Sequence, residues 1–340
     1  MNCSLPELIA DLRASRGFAH KTDIGGVVST LQAAATENWP PFGRTSVPIG
    51  DDCAALPDGH GGHQLLAIEG LVEDFIVRMP WFAGYSAVMV NVSDIYAMGG
   101  RPTAVVNALW SQGMEPGREM LEGMACAAAR YGVPLVGGHS NNRSERPQLA
   151  VAILGHARKL LSSFNAQPGD DLVMAVDLRG EWQDPFPYWN ASTSAPPARL
   201  RDDLEILPRL AESDLCDAAK DISMAGVLGT ALMLLESSGV GARVSLDAVP
   251  RPPGVALLRW LTAFPSFGFV LSVRPRHRDQ VLAAFAGRGL AAAVIGTVEA
   301  SSALCLQHGS DTDTLWDWAE QPFIRAAAVS YTHLTLPTKA

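Results

Sequence analysis

The sequence predicts an α/β fold divided into two domains, and three observations carry that expectation. At 340 residues the chain exceeds the size that one hydrophobic core comfortably serves. Its first half alternates strand-like apolar runs with windows of helical spacing, the pattern of α/β proteins. A polar stretch over residues 157–168 then leads through Gly169, Asp170 and Asp171 into a fresh apolar run, which marks a boundary.

In order along the chain, residues 47–49 and 64–68 are short apolar runs bounded by Gly and Asp and read as strands. Residues 82–98 carry apolar side chains at helical spacing and end in Gly99, Gly100 and Pro102, a helix stop. A strand follows over 103–110, an Ala-rich helix over 117–131, a strand over 134–136 and another over 148–156. Beyond the boundary, 171–177 reads as a strand. Residues 181–197 mix Trp182, Tyr188 and Trp189 with prolines and read as a long loop, a kind of segment that is usually functional or disordered. Helices are expected over 198–220, 224–238 and 276–287, and strands over 243–246, 268–273 and 292–298, with a last helix near 316–328. Residues 330–340 lack periodicity and read as a foreign or disordered tail, or as a short terminal strand.

Composition excludes several function classes. Hydrophobic residues make up 48% and charged residues 18%, as in ordinary globular proteins. The formal charge of −9 speaks against a nucleic-acid partner, which needs a basic face to displace counterions. Apolar stretches are too short or too interrupted for a membrane span. Cys3, Cys53, Cys126, Cys216 and Cys305 form no CxxC pair and suit reduced thiols in a cytoplasm, and the polar, mixed-charge amino terminus is no secretory signal.

The chemistry concentrates in acidic clusters. Asp51 and Asp52 follow Gly50 after an apolar run, where they fit either a metal-ligating strand end or a simple turn. Glu69, Glu73 and Asp74 crowd like charges that need a cation, or Arg78, beside them. Asn91 and Asp94 lie three apart near a helix C-terminus, where a carboxylate is disfavoured unless a positive charge, or solvent screening, offsets the dipole. Gly137 and Gly138, with His139 after them, form a candidate turn whose amides could cradle phosphate. Asp221 and Ser223 stand at a helix start, either capping it or facing a phosphate or metal. Carboxylates gathered at element ends suit a hard cation such as Mg²⁺, which mostly accompanies phosphates. No GxxxxGK[ST], kinase catalytic loop, HExxH or GxSxG occurs.

The order of these motifs resembles one superfamily. Gly50-Asp51-Asp52, Glu69 to Glu73, the block from Asn91 through Asp94 to Gly99-Gly100 and Pro102, Gly137-Gly138, Gly169-Asp170, Asp221-Ile222-Ser223 and Ser238 to Gly241 are similar to aminoimidazole ribonucleotide (AIR) synthetase, thiamine-monophosphate kinase, selenophosphate synthetase and the hydrogenase-maturation dehydratase, and most of all to the AIR synthase-related branch. The resemblance implies an N-terminal α/β domain, residues 1–160, whose sheet pairs into a barrel across a homodimer. It also implies an α+β C-terminal domain, residues 161–329. It further implies an ATP-dependent enzyme that activates an oxygen of a small metabolite, with Asp51, Asp52, Glu69 and Asp94 on Mg²⁺. Asn91, Gly137, Gly138, His139 and Asp221 would then face the ATP phosphates. Three departures bear on this, the first being Glu69, a longer carboxylate that can still bind metal where the thiamine-monophosphate kinase pattern has an aspartate. His139 stands where the family often has an aspartate, and Met224 and Ala225 replace the usual Asp-Gly or Gly-Gly. These motivate the alternative of a nucleotide-binding regulatory or scaffold protein without catalysis. Lys21 and Gly25-Gly26 lie where a mobile loop could close.

Overall fold

Residues 4–34 and 47–324 are described by the structure, a computed structural model. Helices α1 (Leu5–Ala14), α2 (Arg16–Thr22) and α3 (Ile24–Ala34) come first, followed by β1 (Ala54–Pro57), β2 (His63–Gly70), α4 (Glu73–Arg78) and α5 (Pro80–Ala97). The first half closes with β3 (Arg101–Gln112), α6 (Met114–Tyr131), β4 (Leu135–Asn141) and β5 (Arg143–Ala157). The second half runs through β6 (Asp171–Val176), β7 (Glu181–Trp182), β8 (Tyr188–Asn190), α7 (Pro197–Leu204), α8 (Ile206–Glu212), β9 (Ala218–Asp221), α9 (Gly226–Ser238) and β10 (Gly241–Ser245). It ends with α10 (Leu257–Leu261), β11 (Phe264–Pro265), β12 (Gly268–Val273), α11 (Arg278–Ala286), β13 (Ala291–Glu299), β14 (Ala303–His308) and β15 (Asp311–Asp317).

The first-half strands form one open sheet in the order β1-β2-β5-β3-β4, with only the β3–β4 pair parallel. Period-two alternation sends Leu65 and Ala67 of β2 into the core and Leu66 and Ile68 outward. Behind the sheet lies α5, buried on nearly every side and crossed by α6. Two glycines set that crossing: a Cβ on Gly84 would lie 2.0 Å from the Met120 carbonyl oxygen, and one on Gly123 would lie 1.9 Å from that of Trp81. The opposite sheet face is unpartnered, and Leu66 and Leu154, neighbours across the β2–β5 ladder, together with Ile68, Val106 and Val136 stand exposed on this sheet. The described residues of one chain make no closed barrel.

A seven-stranded sheet in the order β15-β14-β10-β13-β6-β12-β9 builds the second half, largely antiparallel, with β10–β14 parallel. Its strands β6 and β12 are buried on both faces because α9, with α1 and α10 nearby, covers one side while α5, α8 and α11 lie on the other. Arg101 holds the halves together, with its guanidinium bonded to both Glu205 and Glu212. No helix among the described residues is long and apolar enough to cross a membrane.

Several expected elements differ. Residues 47–49 form a bend and turn, and the strand begins at Ala54. The expected helix over 198–220 is two short helices, α7 and α8, followed by β9; Asp214 takes a left-handed φ of 57° and the chain then turns into the sheet. Residues 181–197 are not a structureless loop: β7 and β8 pair with each other, and β8 pairs with β11 in a small sheet. The helix expected near 316–328 is β15 and a following turn up to residue 324, and the tail 330–340 lies outside the described residues.

Candidate functional site

Three carboxylates from three distant parts of the chain meet in one cleft. Asp52 lies in the bend before β1, Asp94 in the last turn of α5 and Asp221 at the end of β9, and each offers an oxygen within 4.8 Å of the others. All three side chains are largely withdrawn from water. Glu69, from the end of β2, lines the same cavity of about 280 Å³, as do Gly50, Asp51, Lys21, Lys220, Ser223, Met224 and Ile324.

Local structure explains how each arrives. A positive φ of 122° at Gly50 turns the backbone so that the two following carboxylates diverge. Asp51 turns toward the connection between the halves, where it accepts bonds from the Ser162 hydroxyl (2.7 Å), the Ser163 amide (3.0 Å) and the Ser163 hydroxyl (2.5 Å). Asp52 turns into the cleft, where its Oδ1 accepts a bond from the Lys220 ammonium and its Oδ2 is buried with no partner. Asp94 is carried inward on the buried helix α5, whose end is closed by Gly99 at a φ of 74°.

Electrostatics follow from the crowding. Burial first, then the charges of Asp221, Glu69 and Asp52, pushes the Asp94 carboxyl far above the usual carboxylate range. Burial likewise raises Glu69 and Asp221, against the lowering pull of lysines on each. Desolvation alone would lower Lys220, yet Asp52, Asp51 and Asp221 outweigh it and hold the group above its ordinary value. Lys21, desolvated and facing the Lys220 charge, lies below its ordinary value. The site therefore collects negative charge that a divalent cation would relieve.

The other expected residues lie elsewhere. Asn91 is fully buried on α5, and its amide donates 2.8 Å back to the Ala87 carbonyl rather than lining the cleft. Gly137, Gly138 and His139 are not a turn but part of the edge strand β4, and none of them lines the cleft. A Cβ on Gly138 would meet the Asn107 carbonyl oxygen at 2.6 Å, so strand packing requires that glycine. The His139 ring sits 5.9 Å from that of Trp110. Asp74 pairs with Arg78 at 2.7 Å on an exposed face of α4, so that part of the acidic cluster is an ordinary helical salt bridge.

Lys220 is the residue that the sequence reading missed. A lysine inside the apolar run Ala218-Ala219-Lys220-Asp221-Ile222 was the available signal, since a buried ammonium requires a carboxylate partner. Beside the acidic cleft, and sharing Glu69, Val90, Met224 and Phe264 with it, lies an apolar cavity walled by Phe75, Phe82, Met89 and Tyr188. Apart from the shared Glu69, its polar side chains are few: Ser86, Asn190 and Ser266. Tyr188, Trp189 and Asn190 bring the aromatic 181–197 stretch to this wall.

Comparison with known proteins adds a lineage to this geometry. Residues 50–157 match the model of the AIR synthase related protein N-terminal domain, and residues 174–308 that of the C-terminal domain. An uncharacterised protein of Synechocystis sp. is 45% identical over 321 residues, 94% of this chain and 97% of that protein. Selenide, water dikinase of Escherichia coli O157:H7 is 28% identical over 276 residues, 73% of this chain and 76% of the enzyme. The structure of T. maritima PurL complexed with ATP superimposes with a TM-score of 0.70 at 19% identity, a likeness of fold. It covers 91% of this chain and 52% of PurL, so the chain spans about half the PurL length.

Proposed function

This chain belongs to the AIR synthase related family, and from that premise we propose that it is an ATP-dependent, Mg²⁺-requiring enzyme that phosphorylates an oxygen of a small metabolite. The observation that carries the reading is the convergence of Asp52, Asp94 and Asp221, with the buried Oδ2 of Asp52 left unpartnered. Carboxylate oxygens are the donors that Mg²⁺ prefers, so the residues fit that ion. When bound, it supplies neutralisation of phosphate charge. A dikinase among the relatives and a fold shared with a protein solved with ATP support the nucleotide.

In this mechanism Asp52, Asp94 and Asp221, with Glu69 at the rim, would hold the ion, which would neutralise charge on the nucleotide's phosphates. Lys21, half-buried and lining the cleft, donates to phosphate oxygens. The acceptor lies with its less polar body in the adjoining cavity and its hydroxyl toward the carboxylates, near Glu69 and Met224. Catalysis then rests on positioning and charge neutralisation rather than covalent chemistry with the protein. We further propose that a second copy covers the open sheet face bearing Leu66, Ile68, Val106 and Leu154, completing a homodimer.

The test is ADP formation from Mg·ATP across a panel of small hydroxylated metabolites, in the wild type and in Asp94→Asn. Turnover with an acceptor, falling at least ~100-fold in the variant while its circular dichroism is unchanged, is the expected outcome. Tight nucleotide binding with no turnover on any acceptor would instead favour the regulatory or scaffold reading. Equal activity in Asp94→Asn would remove the assignment of the cleft.

A further inference from the structure

The acidic cleft contains its own cation. Lys220 projects from β9 into the carboxylate cluster, with its side chain 7% exposed, and its Nζ is bonded to Asp52 Oδ1. Asp51 and Asp221 are its next strongest electrostatic neighbours. Asp52 therefore has one oxygen committed and one, Oδ2, buried without a partner and available to a ligand. Besides Asp51, which is committed to Ser162 and Ser163, four carboxylates line the cleft, Asp52, Glu69, Asp94 and Asp221, and the ammoniums of Lys21 and Lys220 cancel two of their four formal negative charges. The remainder is what a single divalent ion neutralises; a second ion would leave the protein ligands overcompensated in a site with little water to screen them.

We propose that Lys220 fills the place of one metal ion, so that each subunit binds a single divalent cation, ligated by Asp52 Oδ2, Asp94 and Asp221. This rests on the metal-dependent reading given above and deepens it. By holding Oδ1, the ammonium also fixes the carboxylate plane of Asp52 and presents Oδ2 to the ion, which makes Lys220 a positioning residue. The bland alternative is a buried ion pair that merely ties the bend before β1 to the second half. That role predicts a loss of stability when Lys220 is replaced, with no change in the number of ions bound.

Titration of the nucleotide-free protein with Mn²⁺, followed by electron paramagnetic resonance of the free ion, separates the two. Wild type is expected to bind one Mn²⁺ per chain. Lys220→Met, close in volume to the original side chain, is expected to bind two. Lys220→Arg is expected to keep one. Two ions on the wild type, or a single ion at any affinity in a folded Lys220→Met, would overturn the proposal while leaving the metal-dependent function standing. No Mn²⁺ bound by the wild type, with or without ATP, would instead sink the functional reading itself. Should Lys220→Met fail to fold, the double variant Asp52→Asn/Lys220→Met removes both charges together and avoids an unpaired buried carboxylate. It is expected to bind one ion, more weakly than wild type; two ions, or one at undiminished affinity, would overturn the inference.

Discussion

Replacing Asp94 by Asn is expected to stabilise the ion-free protein and, at the same time, to erase most of its response to magnesium. The oxygens of Asp52, Asp94 and Asp221 lie within 4.8 Å of one another. At the effective dielectric that suits protein sites, each like-charged pair at such a separation costs roughly 3–4 kcal/mol. The folded protein escapes part of that cost by retaining a proton, which is why burial and the neighbouring carboxylates push Asp94 so far up. Lys220 offsets a further part through Asp52. What remains at about pH 8 is of order 2–3 kcal/mol, and asparagine, neutral and nearly isosteric, removes it. For a chain of this size that corresponds to a rise of about 3–4 °C in Tm. Thermal melting in chelator and in excess magnesium, for wild type and variant, is the assay. Wild type gains from the ion because a ligand of the native state stabilises it. The variant should start higher and gain less. A variant that melts below wild type in chelator, or an equal magnesium shift in both, would refute the argument that these carboxylates share one ion.

Two further outcomes follow from the same geometry. The raised carboxyl pKa values of Asp94, Asp221 and Glu69 mean that the folded chain keeps protons the unfolded chain gives up, so their contribution is full below the ordinary carboxylate pKa of about 4 and is lost as pH rises. Tm in chelator should therefore fall from about pH 5 to pH 8 and flatten when magnesium is added; a rising profile in chelator would contradict it. On the open sheet face, Ile68→Glu puts a charge at a position 69% exposed, which costs a monomer little and a covered interface much. Light scattering should show dimer for wild type and monomer for the variant, and a wild-type monomer would dismiss the pairing.

Much of this site was legible because its carboxylates break local rules. Asp94 stands in the last turn of a helix, where the dipole disfavours it, and Asp52 follows an apolar run; each needs a compensating charge that the chain does not supply next door. Gly137 and Gly138 misled for the opposite reason. Paired glycines signal turns, but here Gly138 is small because β3 approaches closely, a demand set by a strand some thirty residues earlier. The helix expected over 198–220 failed in the same way. Leu200, Leu204, Leu207 and Leu210 keep helical spacing across the junction of α7 and α8, so periodicity alone does not register the break. Lys220 breaks a rule as well, a lysine inside an apolar run, but which carboxylate answers it is set only when the fold brings β9 against the bend before β1.

The cleft also explains why two sheets belong in one chain. Asp52, Glu69 and Asp94 come from the first half and Lys220, Asp221, Ser223 and Met224 from the second, so neither half alone can hold the cation or the acceptor. Packing of the halves must then be rigid to within the tolerance of a coordination shell. The contacts that achieve this lie at the edge of the cleft, Asp51 on Ser162 and Ser163, and beyond it, Arg101 on Glu205 and Glu212 and the Tyr85 and Tyr131 hydroxyls on Ser192 at 2.5 and 2.7 Å. Each joins a first-half element to the connection or to the second half; the Asp51–serine and tyrosine–Ser192 contacts are largely buried, so breaking them costs about 1–3 kcal/mol apiece, whereas the partly exposed Arg101 pairs contribute less. The carboxylates are thus forced together before any ion arrives, and the repulsion that a retained proton and Lys220 leave among them is relieved on binding.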